Sequence, residues 1–173
     1  MKHYVVAAAG LLVIAGCGSD NTTAQDAAAS GEPATTEIVL NCPTADADGV
    51  IHIRPGLEAR VLRNGYGRSA MMGDLAGVHA VLWIYDTSKP GNKGELIWSS
   101  GGTEPFEFQV GQSGFIEGWS PGIECMLLGE TRELVIAPEL AYGERGRPPV
   151  PPGATLLYEL ELVRLSGPAD AGN

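Results

Sequence analysis

The sequence predicts an α+β domain, an antiparallel sheet with one short helix, behind an N-terminal stretch that is not part of it. Three observations lead there. Gly (24 residues) and Pro (12 residues) are abundant, which favours strands joined by turns over long helices. Short apolar runs alternate with Gly-, Pro- and Asn-containing breaks from Gly56 to Leu165. A single stretch, Trp119 to Leu128, carries helix punctuation: Ser120 as N-cap, Pro121 at the first helical position, and Gly129 as the stop. A chain of 173 residues fits one domain with tails, at roughly 100–200 residues per domain. A domain of ~110 residues buries an adequate core unaided.

The elements follow in order. Met1-Lys2-His3 is charged, Tyr4 to Ile14 is almost continuously apolar, and small residues come next. The apolar run is too short for a membrane span, which needs ~20 residues, and the pattern is that of a secretory signal. Residues 1–16 are therefore expected to be an address. Residues 17–37 are rich in Ser, Thr, Ala, Asp and Gly, with no large apolar side chain before Ile38. Such a stretch cannot bury enough surface to offset its ordering entropy, so a flexible tether is expected. Residues 38–54 hold apolar stretches at Ile38-Val39-Leu40 and Val50-Ile51-His52-Ile53, either an extra strand or a lead-in. The domain proper spans residues 55–166, and residues 167–173 read as a tail.

Within the domain, Glu58 to Leu62 is a strand ended by Asn64-Gly65-Tyr66-Gly67. Val78 to Tyr85 is apolar on both faces, as a central strand requires. Phe106-Glu107-Phe108-Gln109-Val110 alternates cleanly and stops at Gly111, and Thr131 to Ile136 is a further strand before Ala137-Pro138. The closing run, Thr155 to Leu165, places Leu156, Tyr158, Leu160 and Leu162 on one face.

Composition excludes several functions. The formal charge is −10 and no stretch gathers Lys or Arg densely enough to neutralise phosphates, so no nucleic-acid partner is expected. There is no Gly-x-Ser-x-Gly, no phosphate loop and no His-Glu-x-x-His, and no cofactor is implied. His52 and His79, the histidines left after the signal, have structural roles as their simplest reading. Cys42 and Cys125 lie in no Cys-x-x-Cys and have no His beside them, which argues against zinc. Outside the cytoplasm they form either a disulfide or two separate thiols. Asp46-Ala47-Asp48-Gly49 lacks the later ligands of a calcium loop and reads as a turn. What remains is aromatic. Phe115 and Trp119 flank the helix start, and Ala141-Tyr142-Gly143 lies in a Gly- and Pro-rich loop, a combination that permits an apolar cup with a few polar tips.

Two resemblances sharpen this. Ile14-Ala15-Gly16-Cys17 resembles the bacterial lipobox, with Ile in place of the usual Leu. The resemblance implies that Cys17 is lipidated and tethers the protein to a membrane of the bacterial cell envelope. Gly18 in place of the Asp of an inner-membrane retention signal points to the outer membrane or the periplasmic face. Further on, Phe106-Glu107-Phe108-x-x-Gly111 is followed by Ile116-Glu117-Gly118-Trp119-x-x-Gly122. Met126-x-x-Gly129-Glu130-x-Arg132, Pro138-Glu139-Leu140-Ala141-Tyr142-Gly143 and Pro151-Pro152-Gly153-Ala154-Thr155-Leu156 come after them. In order and spacing these blocks resemble the FKBP-type peptidyl-prolyl cis-trans isomerases over Gly56 to Leu165.

The resemblance implies an antiparallel β-sheet curled around one short α-helix, and isomerisation of X–Pro bonds in proline-containing segments of exported proteins. Carried over onto matching positions, Tyr142, Trp119 and Ile116 are the catalytic residues. Trp119 is the cup's floor, while the Tyr142 hydroxyl and the Ile116 amide donate to substrate carbonyls. Phe106, Phe115, Val150 and Tyr158 are walls. The family's strand Val-His-Tyr-Thr-Gly-Trp-Leu-Tyr-Asp meets Val78 to Asp86 without gaps, which puts Ala80 where the family has a pocket Tyr. Its pocket Phe and Asp fall on Ile97 and Trp98. Trp98 is expected to occupy room vacated at Ala80, or else a shifted register keeps another polar group there. Arg147 and Pro148-Pro149, in a shortened loop, bear on peptide selectivity. The pattern leaves three readings open: an isomerase of reduced or altered activity, a non-catalytic proline-binding or chaperone module, and a purely structural domain within an envelope assembly.

Overall fold

A computed structural model describes residues 42–102, 104–112 and 115–167. The signal segment, Cys17, the tether, Ile38-Val39-Leu40 and the tail beyond Gly167 lie outside the described residues. All described residues belong to the compact unit Val39–Asn173.

Among the described residues, nine strands and one α-helix follow in order: β1 (Ile51–Arg54), β2 (Leu57–Arg63), β3 (Tyr66–Ser69), β4 (Leu75–Tyr85), β5 (Lys93–Ser99), β6 (Phe106–Gln109), α1 (Trp119–Ile123), β7 (Leu127–Leu128), β8 (Thr131–Ile136) and β9 (Leu156–Ser166). Every pairing is antiparallel, and the main sheet runs β1-β2-β8-β9-β4-β5. The free edge of β4 is divided: Leu75–Val78 pair with β6 and Val81–Tyr85 with β5. The short strands β3 and β7 form a separate ladder.

Period-two alternation sets the core. Leu156, Tyr158, Leu160 and Leu162 of β9 are buried beside Ala76, Val78, Ala80 and Leu82 of β4 and Leu134 and Ile136 of β8. One cross-strand row runs Ala59, Leu134, Tyr158, Leu82, Trp98 from the β2 side of the sheet to its β5 edge. The opposite face mixes apolar and charged side chains, with Lys93 to Glu159 at 2.6 Å and Lys93 Nζ over the Trp83 ring at 4.6 Å from its centre.

The helix is shorter than its sequence suggests. It ends at Ile123 because Cys125 takes a positive φ of 66°, and Leu127–Leu128 then leave to pair with β3. Ser120 is not its cap. Gly118 holds that position without a side-chain cap, while Ser120 Oγ accepts a hydrogen bond from the Gly111 amide at 3.0 Å. The spacing Gly118-Trp119-x-x-Gly122 has a steric reason. A Cβ on Gly118 would lie 2.6 Å from Ile136 Cγ2, and one on Gly122 would overlap Leu134 Cδ1. Only hydrogen at both positions lets α1 sit flat against β8.

The extension before the domain adds a strand. β1 pairs with β2, and Cys42 is disulfide-bonded to Cys125 with their Cα atoms 5.8 Å apart. The bond ties the chain before β1 to the end of α1. That end is also held by Arg132, one of the few buried charges. Its Nε donates to Glu130 Oε1 at 2.7 Å, and its Nη1 reaches the carbonyls of Gly122 and Glu124 at 3.1 and 3.3 Å.

Candidate functional site

Between α1, the end of β9 and three loops lies a cavity of about 720 Å³. Its floor is Trp119, which Gly118 and Gly122 place by letting the helix descend onto the sheet. The rings of Phe106, Phe108 and Tyr158 meet Trp119 edge-on, with centroids 5.7, 5.5 and 5.4 Å away. Phe115 stacks on it at 5.6 Å. Such perpendicular and stacked pairs add about 0.5–1.5 kcal/mol each beyond area burial.

The polar groups are few. Tyr142 stands at the wall on a loop fixed over α1 by the Gly118 amide, which donates to Leu140 O at 3.0 Å. The Ile116 carbonyl accepts from the Trp119 amide at 3.1 Å, while the Ile116 N–H meets no acceptor among the described residues. The Trp119 Nε1–H is buried and likewise has no acceptor among them. Burial pushes the Tyr158 phenol well above its ordinary range, and Tyr142 beside it adds to the rise. The Tyr158 hydroxyl therefore stays protonated at neutral pH. Among the described residues, no Asp, Glu, His or Cys lines the cavity.

Of the ten cavity residues named from sequence, nine line it: Tyr142, Trp119, Ile116, Phe106, Phe115, Ile97, Trp98, Val150 and Tyr158. Ala80 does not. It is fully buried, paired through its backbone with Ser100, and its methyl is too short to reach the surface. Leu82, next on the same face of β4, lines the wall instead. Nor does Trp98 fill space beside Ala80. It lies opposite Leu82 and its side chain stands at the rim, 44% exposed. A β-bulge in β5 explains why neighbours share one cavity. Leu82 pairs with Trp98 and Trp83 with Leu96, so Ile97 is the extra residue and turns inward beside Trp98.

Leu82 was legible by alternation from Ala80. Arg147, Pro148 and Pro149 also line the mouth.

Residues 67–163 match the sequence profile of the FKBP-type peptidyl-prolyl cis-trans isomerases. The chain belongs to that family. FK506-binding protein 1 of Aspergillus oryzae is 35% identical over 115 residues, which are 64% of this chain and 99% of that protein. Peptidyl-prolyl cis-trans isomerase FKBP2 of Mus musculus is 44% identical over 86 residues, 49% of this chain and 61% of the relative. Among solved structures, FkpA from Escherichia coli superposes with a TM-score of 0.58 at 32% identity. The match covers 69% of this chain and 52% of that one. The FKBP-type domain accounts for the sheet, the single helix and the place of the cavity between them.

Proposed function

We propose that this chain is an extracytoplasmic, lipid-anchored peptidyl-prolyl cis-trans isomerase that acts on X–Pro bonds of exported proteins through a pocket altered at two positions. The observation that carries the reading is the cavity itself: an aromatic cup floored by Trp119, with the Tyr142 and Tyr158 hydroxyls and no carboxylate among the described residues that line it. The Cys42–Cys125 disulfide supports an oxidising compartment, and the lipobox-like Ile14-Ala15-Gly16-Cys17 supports an anchor.

The chemistry requires no nucleophile. Rotation about a prolyl amide loses resonance, and the planar-to-twisted barrier is about 18–20 kcal/mol. The twisted form has a less polar carbonyl and a pyramidal nitrogen, so an apolar cup that fits the twisted ring favours it over either planar isomer. The Tyr142 hydroxyl and the Ile116 amide orient the flanking carbonyls. Each ~1.4 kcal/mol of preference for the twisted state is worth tenfold in rate.

A second reading rests on the rim. Trp98 stands where the family has a carboxylate, and Ala80 where it has a Tyr, so the cup binds proline without the polar edges that assist rotation. One experiment separates the two. The mature chain, with Cys17→Ser to remove the anchor, is assayed for isomerisation of a short Leu–Pro peptide beside Trp119→Ala and Trp98→Asp. Activity that falls at least tenfold in Trp119→Ala supports the enzyme. An inactive wild type whose Trp98→Asp variant gains activity leaves a binding module.

A further inference from the structure

Among the described residues, the cavity mouth carries one charged side chain, Arg147, and no carboxylate. This is unusual in a chain of net charge −10 whose other cations are largely engaged. Arg54, Arg63, Arg68, Arg132, Arg164 and Lys93 each face a carboxylate. Arg147 has no ion pair and no side-chain hydrogen bond among the described residues. Nearby acids do not supply one: Glu117 faces Arg54, Glu144 lies against Gly153, and neither they nor Glu139 line the cavity.

The backbone under Arg147 is fixed. Its amide donates to Val150 O at 3.0 Å and the Val150 amide returns to Arg147 O at 2.7 Å, closing the loop over Pro148-Pro149. Gly146 holds φ 65°, and a Cβ there would lie 2.7 Å from the backbone of Pro151 and Pro152. The loop admits only glycine at that position, so the guanidinium projects from a constrained base.

We infer that Arg147 is a specificity-determining residue that selects an acidic side chain beside the substrate proline, so that the substrate class is Glu/Asp-flanked proline. The inference rests on the proposed isomerase reading. With the proline ring over Trp119, the residues next to it cross the rim formed by Trp98, Phe115 and Arg147. A carboxylate there meets an unpaired cation instead of the like charge that the family's Asp would present. The chain's overall negative charge opposes this only at long range, since screening is largely complete beyond about 8 Å at physiological salt.

The test uses peptides that place Glu, Gln or Lys immediately before the proline, and a second set that places them immediately after. Glu against Gln isolates charge from shape. In wild type, kcat/KM for Glu exceeds that for Gln by about two- to fivefold in at least one set, the range of a solvent-flanked ion pair. The ratio falls to one in Arg147→Gln, inverts toward Lys in Arg147→Glu, and shrinks as salt is raised. Ratios are read within each variant, so any general loss of activity cancels. A wild-type ratio of one in both sets, or a preference that persists in Arg147→Gln, overturns the inference while Leu–Pro turnover leaves the isomerase reading intact. If no peptide is turned over, the isomerase reading fails. The same Glu/Gln ratios are then read from peptide titrations of tryptophan fluorescence, and a ratio of one there overturns the inference too.

Discussion

Replacing Arg132 with Met tests whether the end of α1, and with it the seat of Trp119, depends on a buried charge network. Arg132 is 5% exposed and Glu130 3% exposed. The guanidinium contacts Glu130 Oε1 through Nε at 2.7 Å and Nη2 at 2.6 Å, and it satisfies the carbonyls of Gly122 and Glu124. In Arg132→Met the Glu130 carboxylate keeps the Leu127 amide, 2.9 Å from Oε2, as its remaining donor, and two carbonyls at the helix end lose their partner. Removing one side of a buried pair costs about 3–5 kcal/mol, a large part of a domain's usual 5–15 kcal/mol. Urea unfolding followed by tryptophan fluorescence, with the disulfide intact, reads the loss as a lower midpoint at unchanged slope. Glu130→Leu added to Arg132→Met recovers most of the loss. A single-variant loss under 1 kcal/mol would show that solvent reaches the pair and that the network does not hold α1.

Two further outcomes follow from the site and its anchor. Because burial raises the Tyr158 phenol in the folded state, the unfolded chain ionises first as pH climbs past about 10, and stability falls by at most ~1.4 kcal/mol per pH unit. Tyr158→Phe flattens that alkaline limb, measured as urea midpoints from pH 9 to 11 against wild type; an unchanged limb refutes the assignment. Loss of the Cys42–Cys125 bond, which spans 83 residues, lowers stability by up to about 4–5 kcal/mol on a chain-entropy account. Equilibrium unfolding of the Cys42→Ser, Cys125→Ser variant checks it, and a shift below 1 kcal/mol would mean that β1 holds the extension without the bond.

The fold was legible where local chemistry and tertiary demand agree. Alternation in Phe106–Val110, Thr131–Ile136 and Thr155–Leu165 marks strands with one buried face, and those strands are present as β6, β8 and β9. β5 went unread because Lys93–Ser99 is an edge strand with bulges. Its side chains are partly or fully exposed, so no period-two signal remains. The helix was read too long because Met126, Leu127 and Leu128 continue the apolar spacing. What ends it is a left-handed Cys125, whose bond to Cys42 is non-local. The aromatic positions of the cavity were legible through motifs whose glycines answer to close packing. The relation of Ala80 to Trp98 was not, because one extra residue in β5 decides which side chains face in, and bulges leave no mark in composition.

The two positions proposed to depart from the family pattern weigh unequally on the proposed chemistry. Ala80 lies beneath the cavity wall, so on that reading a Tyr-to-Ala exchange alters what supports the wall more than what touches a ligand. Trp98 lines the mouth, where on the same reading an indole in place of a carboxylate makes the cup more apolar and removes a negative charge. If rate comes from preferring a less polar twisted amide, an added apolar wall does not oppose it, and the loss is confined to any hydrogen bond the carboxylate made. A hydrogen bond to a charged group contributes about 1.5–3 kcal/mol, roughly ten- to a hundredfold in rate. A pocket that keeps Trp119, Tyr142 and the Ile116 amide therefore retains the larger share of the differential binding. On the proposed reading, the absence of an acid leaves Arg147 as the one charged side chain among the described residues that line the mouth, so the exchange proposed to weaken turnover of neutral peptides is also the one proposed to open the site to acidic ones.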